Sequence, residues 1–305
     1  MFADIISNEK AKVFLKNELK FDRESGTYLF YGIDRGLLKR FAKNFAKSLN
    51  CMEVEYDFCD KCESCLRIET ETHGDLEILE DNSGIKIEKI RELGYKDSIN
   101  SYEGRKKIYI IRDVDKLRKE SGNALLKLIE EPNKGSFFIL LSSTLNVLPT
   151  IKSRSIIVKI EQQTAEELGV TSFEYNFFQG DALEIEEYEK REDIDLQVGE
   201  SYENIGVSLK KWQEGFDFKD KVEVYKSIRD FINVKDYLNV ADKIYFIDEI
   251  LNSGVEKDFI KNLVNYLINL LDKKSDKLEE FLELKGMLKS PINLKNLLIS
   301  LLSKI

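Results

Sequence analysis

Five short apolar runs, separated by helical patterns, constrain this chain more than any other feature. They are TYLFY (27–31), DLEILE (75–80), KKIYIIRDVD (106–115), SFFILLSS (136–143) and SIIVKI (155–160). Between them lies LLKRFAKNFAKSLN, with Leu38, Phe41, Ala42, Phe45, Ala46 and Leu49 at helical spacing. IKIEKIRELGYKDSI and SGNALLKLIEEP read as two more helices, the second ended by Pro132. Ser7, ahead of Ala11, Val13, Phe14 and Leu19, reads as the N-cap of a first helix. Strands that are apolar almost throughout are buried on both faces. Strands alternating with helices make a parallel sheet covered by helices. An α/β fold is therefore expected over residues 1–160.

The strands then stop. Residues 161–204 read as short helices with acidic faces. Beyond 205 come longer amphipathic patterns: VEVYKSIRDFINV, VADKIYFIDEILNS, EKDFIKNLVNYLINLLDK and LKNLLISLL. With 305 residues, three domains are expected: 1–160, 161–204 and 205–305. A hinge is expected near 192–206, marked by Gly206. Only three prolines interrupt the chain, which suits long helices. The net charge of −9 arises wholly in residues 160–204, which hold 14 Asp/Glu against 2 Lys/Arg, while the flanking segments are slightly positive. That stretch repels phosphate, and a solvated acidic face is its simplest reading. No apolar run reaches the roughly 18 residues needed to span a bilayer, and no basic-then-apolar leader opens the chain. A cytoplasmic protein with no membrane partner is expected.

All four cysteines fall in Cys51-x7-Cys59-x2-Cys62-x2-Cys65. Four thiols so close together, without an export signal, favour a metal over disulfides. Four thiolates make a closed tetrahedral zinc site, which is structural rather than catalytic. An iron–sulfur cluster is the lesser alternative, and reduced surface thiols the plain one. His73 is expected to be a loop residue rather than a ligand.

Strand, glycine, helix is also the setting of a phosphate-binding loop, G-x-x-x-x-G-K-[ST]. Counting from Gly32, the second glycine falls on Leu37, the lysine on Leu38 and the Ser/Thr on Lys39. One position of displacement turns Lys39 by about 100° around the helix, away from a phosphate. The strand at 108–111 should end in an acidic residue that holds Mg²⁺. It ends in Arg112, with Asp113 following. Two elements of a nucleotide site are wrong together, so ATP is not expected to bind tightly. Arg35, Lys39 and Arg40 are expected to attract no more than an adventitious anion.

YLFYGIDRG…KNFAKSLNC, the cysteine module, IKIEKIREL, IYIIRDVDKL, SGNALLKLIEEP and FFILLSS…LPTIKSRS, in this order, resemble the delta-prime family of the bacterial DNA polymerase III clamp loader, within the AAA+ group. The resemblance covers residues 1–160 and is most specific in NALLKLIEEP and LPTIKSRS. It implies a P-loop AAA+ (RecA-like) sheet with helices on both faces, a small helical lid and a C-terminal all-α collar that joins subunits into a ring of five. It further implies gamma/tau and delta partners, with the sliding clamp and primed DNA engaged through the complex. Ser153-Arg154-Ser155 matches the family's Ser-Arg-Cys motif, whose arginine acts in trans on a neighbour's ATP. Ser143 matches its sensor-1 position. FFQGDALEIEE (177–187) matches the lid's sensor-2 region, without the usual basic residue. The expected role is a non-catalytic subunit of a DNA-directed DNA polymerase holoenzyme.

Two other readings compete. A gamma/tau-like motor needs glycine at 37, lysine at 38 and an acid at 112. A zinc-containing nucleic-acid binder needs a basic patch with interleaved aromatics, against which stands only Arg105-Lys106-Lys107. Arg154 without a finger role would cap its turn or form a surface ion pair.

Overall fold

The computed structural model describes residues 5, 7–81, 84–99, 101, 105–215, 217–254, 263, 264, 267, 283 and 293–304. The chain divides into two compact units: Met1–Ser172 with Gly180–Leu183, and Phe173–Gln179 with Glu184–Ile305. Residues from the acidic stretch fall in both.

In the first unit, β1 (Gly26–Tyr31), β2 (Leu76–Leu79), β3 (Lys107–Ile111), β4 (Ser136–Ser142) and β5 (Ile156–Lys159) form a parallel sheet. Its order is β2-β3-β4-β1-β5. One face packs Tyr28, Phe30, Ile108, Ile110, Phe137 and Ile139 against α1 (Glu9–Lys20) and α2 (Arg35–Asn50). The other packs Leu29, Tyr109, Ile111, Phe138 and Leu140 against α4 (Ile87–Ser98), α5 (Lys119–Glu130) and α6 (Pro149–Ser153). Alternate residues of one strand thus enter different cores, which is why the sequence runs are apolar at nearly every position. A short helix, α3 (Glu63–Glu69), belongs to the cysteine module.

The first helix begins one residue later than its sequence suggests. Its N-cap is Asn8, in the left-handed region at φ 67°, and no side chain caps it. The Asn8 amide is used elsewhere. It donates to the Glu161 carbonyl at 2.9 Å and accepts from the Glu161 N–H at 2.7 Å, while Ser7 Oγ accepts its other proton. Asn8 so pairs with the chain just past the edge strand β5, a long-range demand that a local capping rule does not contain.

Past β5 come α7 (Ala165–Leu168), α8 (Ser172–Phe177) and α9 (Ala182–Glu189), then α10 (Ile205–Gly215), α11 (Phe218–Val234) and α12 (Val240–Asn252). A last helix, α13 (Leu294–Lys304), follows. Asp217 caps α11, and a capping box of Asn239 and Asp242 opens α12. Phe231 stacks on Phe246 with ring centres 4.0 Å apart. Gly206, expected to mark a hinge, is the second residue of α10, where a Cβ would stand 2.6 Å from Glu249 Oε2 and 3.1 Å from the Glu249 carbonyl oxygen of α12. Of the helix expected over 256–273, only Leu263, Val264 and Leu267 are among the described residues, and these three are helical and buried.

Gly32, which ends β1, is fixed by a similar closeness. Its N–H donates to the Ser142 carbonyl at 3.1 Å. A Cβ there would lie 2.2 Å from the carbonyl oxygen of Ile160. Backbone, not a flexible side chain, would have to yield. Gly32→Ala is expected to destabilise the protein by about 1–3 kcal/mol, read as a lower denaturation midpoint. An unchanged midpoint would contradict this packing.

Candidate functional site

The carboxyl ends of β1, β3 and β4 meet where an open parallel sheet usually offers its ligand crevice. Here the crevice is filled by its own side chains. Asp34 caps α2 and is only 5% exposed. One carboxylate oxygen accepts the Leu37 N–H at 2.8 Å. The other accepts the Ala182 N–H, 148 residues away, at 3.0 Å. Burial and the nearby negative charge of Asp181 raise this carboxyl to about 6, against the pull of the Leu37, Ala182 and Gly36 N–H groups.

Each remaining position of the expected nucleotide site has an internal partner. Arg35 pairs with Asp113, which also lies 3.6 Å from Lys116 Nζ. Arg112 pairs with Glu80. Leu37 and Leu38 are buried in the core beneath the sheet face. Ser143 Oγ donates to Asp115 Oδ2 at 2.8 Å. The cavity bounded by Arg35, Leu38, Arg112, Asp113, Leu141, Ser142 and Ser143 measures about 10 Å³. That is room for one water at most.

Lys39 faces away from this crevice and reaches Glu71 Oε1 at 2.9 Å. It is the first of three lysines on α2 that hold the cysteine module. Lys43 Nζ donates to the Glu69 carbonyl at 2.6 Å. Lys47, nearly buried, pairs with Asp60 at 2.7 Å and with Glu69, and lies 5.1 Å from the centre of the Phe58 ring. Burial alone would lower the Lys47 ammonium, but Asp60 and Glu69 outweigh it and raise it.

The module gathers Cys51, Cys59, Cys62 and Cys65 with their sulfurs all within 4.8 Å of one another. A tetrahedral four-thiolate site with metal–sulfur bonds of about 2.3 Å needs sulfurs roughly 3.8 Å apart. The donor set therefore fits a metal ion. The Cys62 N–H also donates to Cys59 Sγ at 3.2 Å, which stabilises a thiolate there. Burial would raise the Cys62 thiol, but N–H donation from Met52 and Cys65 outweighs it and lowers the thiol to about 7. Burial pushes Cys65 well up. His73 stays outside the cluster. It is buried, with Nε2 at 3.2 Å from Ser64 Oγ and Nδ1 accepting the Asp75 N–H at 3.1 Å.

Arg154 follows α6. Its guanidinium donates to the Thr150 carbonyl at 3.2 Å and pairs with Glu130 at the end of α5. It is 35% exposed, and Glu130 is 46% exposed. Ser153 Oγ donates to the Thr150 carbonyl at 3.1 Å. The arginine thus rests on its own chain at a solvent-accessible edge. The sequence identified Arg154, Ser153, Arg112, Asp113 and the cysteines, but not Asp34 or Glu130. An aspartate three residues before Leu37 is a readable N-cap signal. Nothing local signals its second partner.

The strand order and the helices on both faces define a P-loop AAA+ fold. A solved DNA polymerase III gamma subunit-related protein from Thermotoga maritima MSB8 shares it, with a TM-score of 0.64 and 17% identity over 96% of this chain and 98% of that one. The family described as DNA polymerase III, delta subunit matches residues 7–164, more than half of the chain, and the chain belongs to that family. Among curated relatives, the delta′ subunit of Bacillus subtilis (strain 168) is 36% identical over 148 residues, covering 46% of this chain and 43% of its own length. The tau/gamma subunit of Haemophilus influenzae is 39% identical over 158 residues, covering 51% of this chain and 23% of its own. The chain spans less than half the length of these relatives.

Protein purified without chelator is expected to carry one metal ion per chain, and Cys62→Ser to lose it. Elemental analysis showing no stoichiometric metal in the parent protein would contradict the site.

Proposed function

We propose that this chain is a non-catalytic, delta-prime-type subunit of the DNA polymerase III clamp loader. The observation that carries the reading is the internal pairing of its crevice. Asp34, Arg35, Arg112 and Asp113 each engage another part of the same unit, and the cavity between Arg35, Leu38, Arg112, Asp113 and Ser143 measures about 10 Å³. A drug-sized or nucleotide-sized ligand takes some 300 Å³ or more. With Leu38 where a phosphate-binding lysine belongs, and Arg112 where Mg²⁺ needs an acid, the chain neither binds ATP tightly nor hydrolyses it.

Its contribution to catalysis is then Arg154, offered to ATP held by a neighbouring subunit. An arginine from outside a nucleotide site neutralises charge that develops on the transferred phosphoryl group. Arg154 is accessible for this, and its Glu130 partner is an exposed ion pair of low cost to break. Ser153 holds the turn that presents it. In this reading residues 1–160 are the AAA+ domain, 161–204 the lid and 205–305 the collar. The partners are gamma/tau and delta subunits, with the sliding clamp and primed DNA met by the whole assembly in the cytoplasm. The four cysteines hold a structural zinc ion, which cross-links the module that the α2 lysines dock.

The gamma/tau-like alternative draws on the identity with tau/gamma subunits, but needs the groups that are missing at 37, 38 and 112. The zinc-containing nucleic-acid binder has less support. Lys107 is buried and bonded to the carbonyls of Lys96 and Asp97 at 3.0 Å, and Arg105 to that of Cys51.

Mixing the chain with gamma/tau and delta subunits is expected to give a complex of defined mass with DNA-stimulated ATPase. In that complex Arg154→Ala should leave assembly intact and lower ATP turnover at the adjoining site by about 10³-fold or more. Unchanged turnover would remove the finger role, and failure to co-assemble would remove the clamp-loader reading.

A further inference from the structure

Through Ala182, Asp34 also holds the start of α9. A helix start exposes N–H groups and the positive end of its dipole, and so draws an anion. In a phosphate loop that anion is the nucleotide. Here the anion is attached to the chain, at the residue just before the helix. Its two oxygens are divided between the helix and a distant segment: Leu37 N–H on one, Ala182 N–H on the other.

The neighbouring contacts repeat this junction independently. Gly36 sits beneath Leu183, where a Cβ would stand 2.7 Å from both Leu183 Cγ and Cδ1. Gln162 Nε2 donates to the Gly180 carbonyl at 3.0 Å. Ala182 is fully buried. Asp181 turns its own carboxylate to the Leu183 N–H at 3.1 Å. Gly180–Leu183 therefore packs as part of the first unit.

We infer that Asp34 is a built-in substitute for a nucleotide phosphate, a latch that holds Gly180–Leu183, the entry and first residues of α9, on the start of α2 with no nucleotide present. A nucleotide-dependent subunit would close and open this junction as phosphates come and go. This chain keeps it closed. The inference rests on reading the β1–α2 connection as a former phosphate loop. It adds to that reading a fixed conformation and the residue that fixes it.

Hydrogen exchange on the full chain tests it, comparing the parent protein with Asp34→Ala and Asp34→Asn, with and without millimolar Mg-ATP. In the parent, the amides of 180–183 should exchange slowly, at rates that ATP does not change. In Asp34→Ala, the Leu37 and Ala182 amides should exchange about tenfold faster or more, as expected for loss of a buried acceptor. Amides of β3 and β4 should keep their protection. Asp34→Asn retains one acceptor oxygen and serves if the alanine variant does not fold. It should accelerate at least one of the two amides.

Unaltered exchange at both amides in the folded variant, with no ATP effect in the parent, would overturn the latch and leave the nucleotide-free reading standing. ATP-dependent protection of 180–183 in the parent would overturn both.

Discussion

The start of α2 needs an acceptor for N–H groups that no preceding turn can satisfy, and Asp34 supplies it from the adjacent residue. Much of the first unit's arrangement follows from that one contact. A carboxylate attached at the helix start leaves no need for a mobile anion. Its second oxygen is free to take the Ala182 N–H. The next side chain, Arg35, is balanced by Asp113. Gly36 lets Leu183 close over the turn. The same few residues that would form a phosphate cradle form a packed corner instead.

The rest of α2 extends this arrangement to the cysteine module. Lys39, Lys43 and Lys47 project at one-turn intervals toward Glu69, Glu71 and Asp60. Lys47 is the energetically demanding member, because a buried ammonium is tolerated only with partners. A single helix thus carries three relationships: its apolar face on the sheet, its start on Asp34 and its cationic face on the module. These ties fit the proposed role, in which the chain offers Arg154 to a neighbour and does not itself cycle with nucleotide.

The sheet was legible in the sequence because burial on both faces leaves a continuous apolar run, a signal held in each strand. The departures at Leu37, Leu38 and Arg112 could be read because the phosphate-loop motif has fixed spacing, so each position could be compared with the required chemistry in turn. The cysteines were legible for the same reason. The direction of Lys39 followed from helix geometry alone. What escaped were contacts between residues far apart in the chain. Asn8 serves Glu161 instead of its own helix, and Asp34 serves Ala182. Gly206 was expected to mark a hinge, yet α12 approaches it closely. In each case the local pattern allowed several roles, and tertiary packing selected one.

The central claim is that the crevice at the ends of β1, β3 and β4 has been taken over by the chain's own side chains. Equilibrium binding of Mg-ATP to the isolated chain tests it most directly. The account predicts no saturable binding up to about 1 mM, a standard free energy no better than roughly −4 kcal/mol. Stoichiometric binding with micromolar affinity would contradict it.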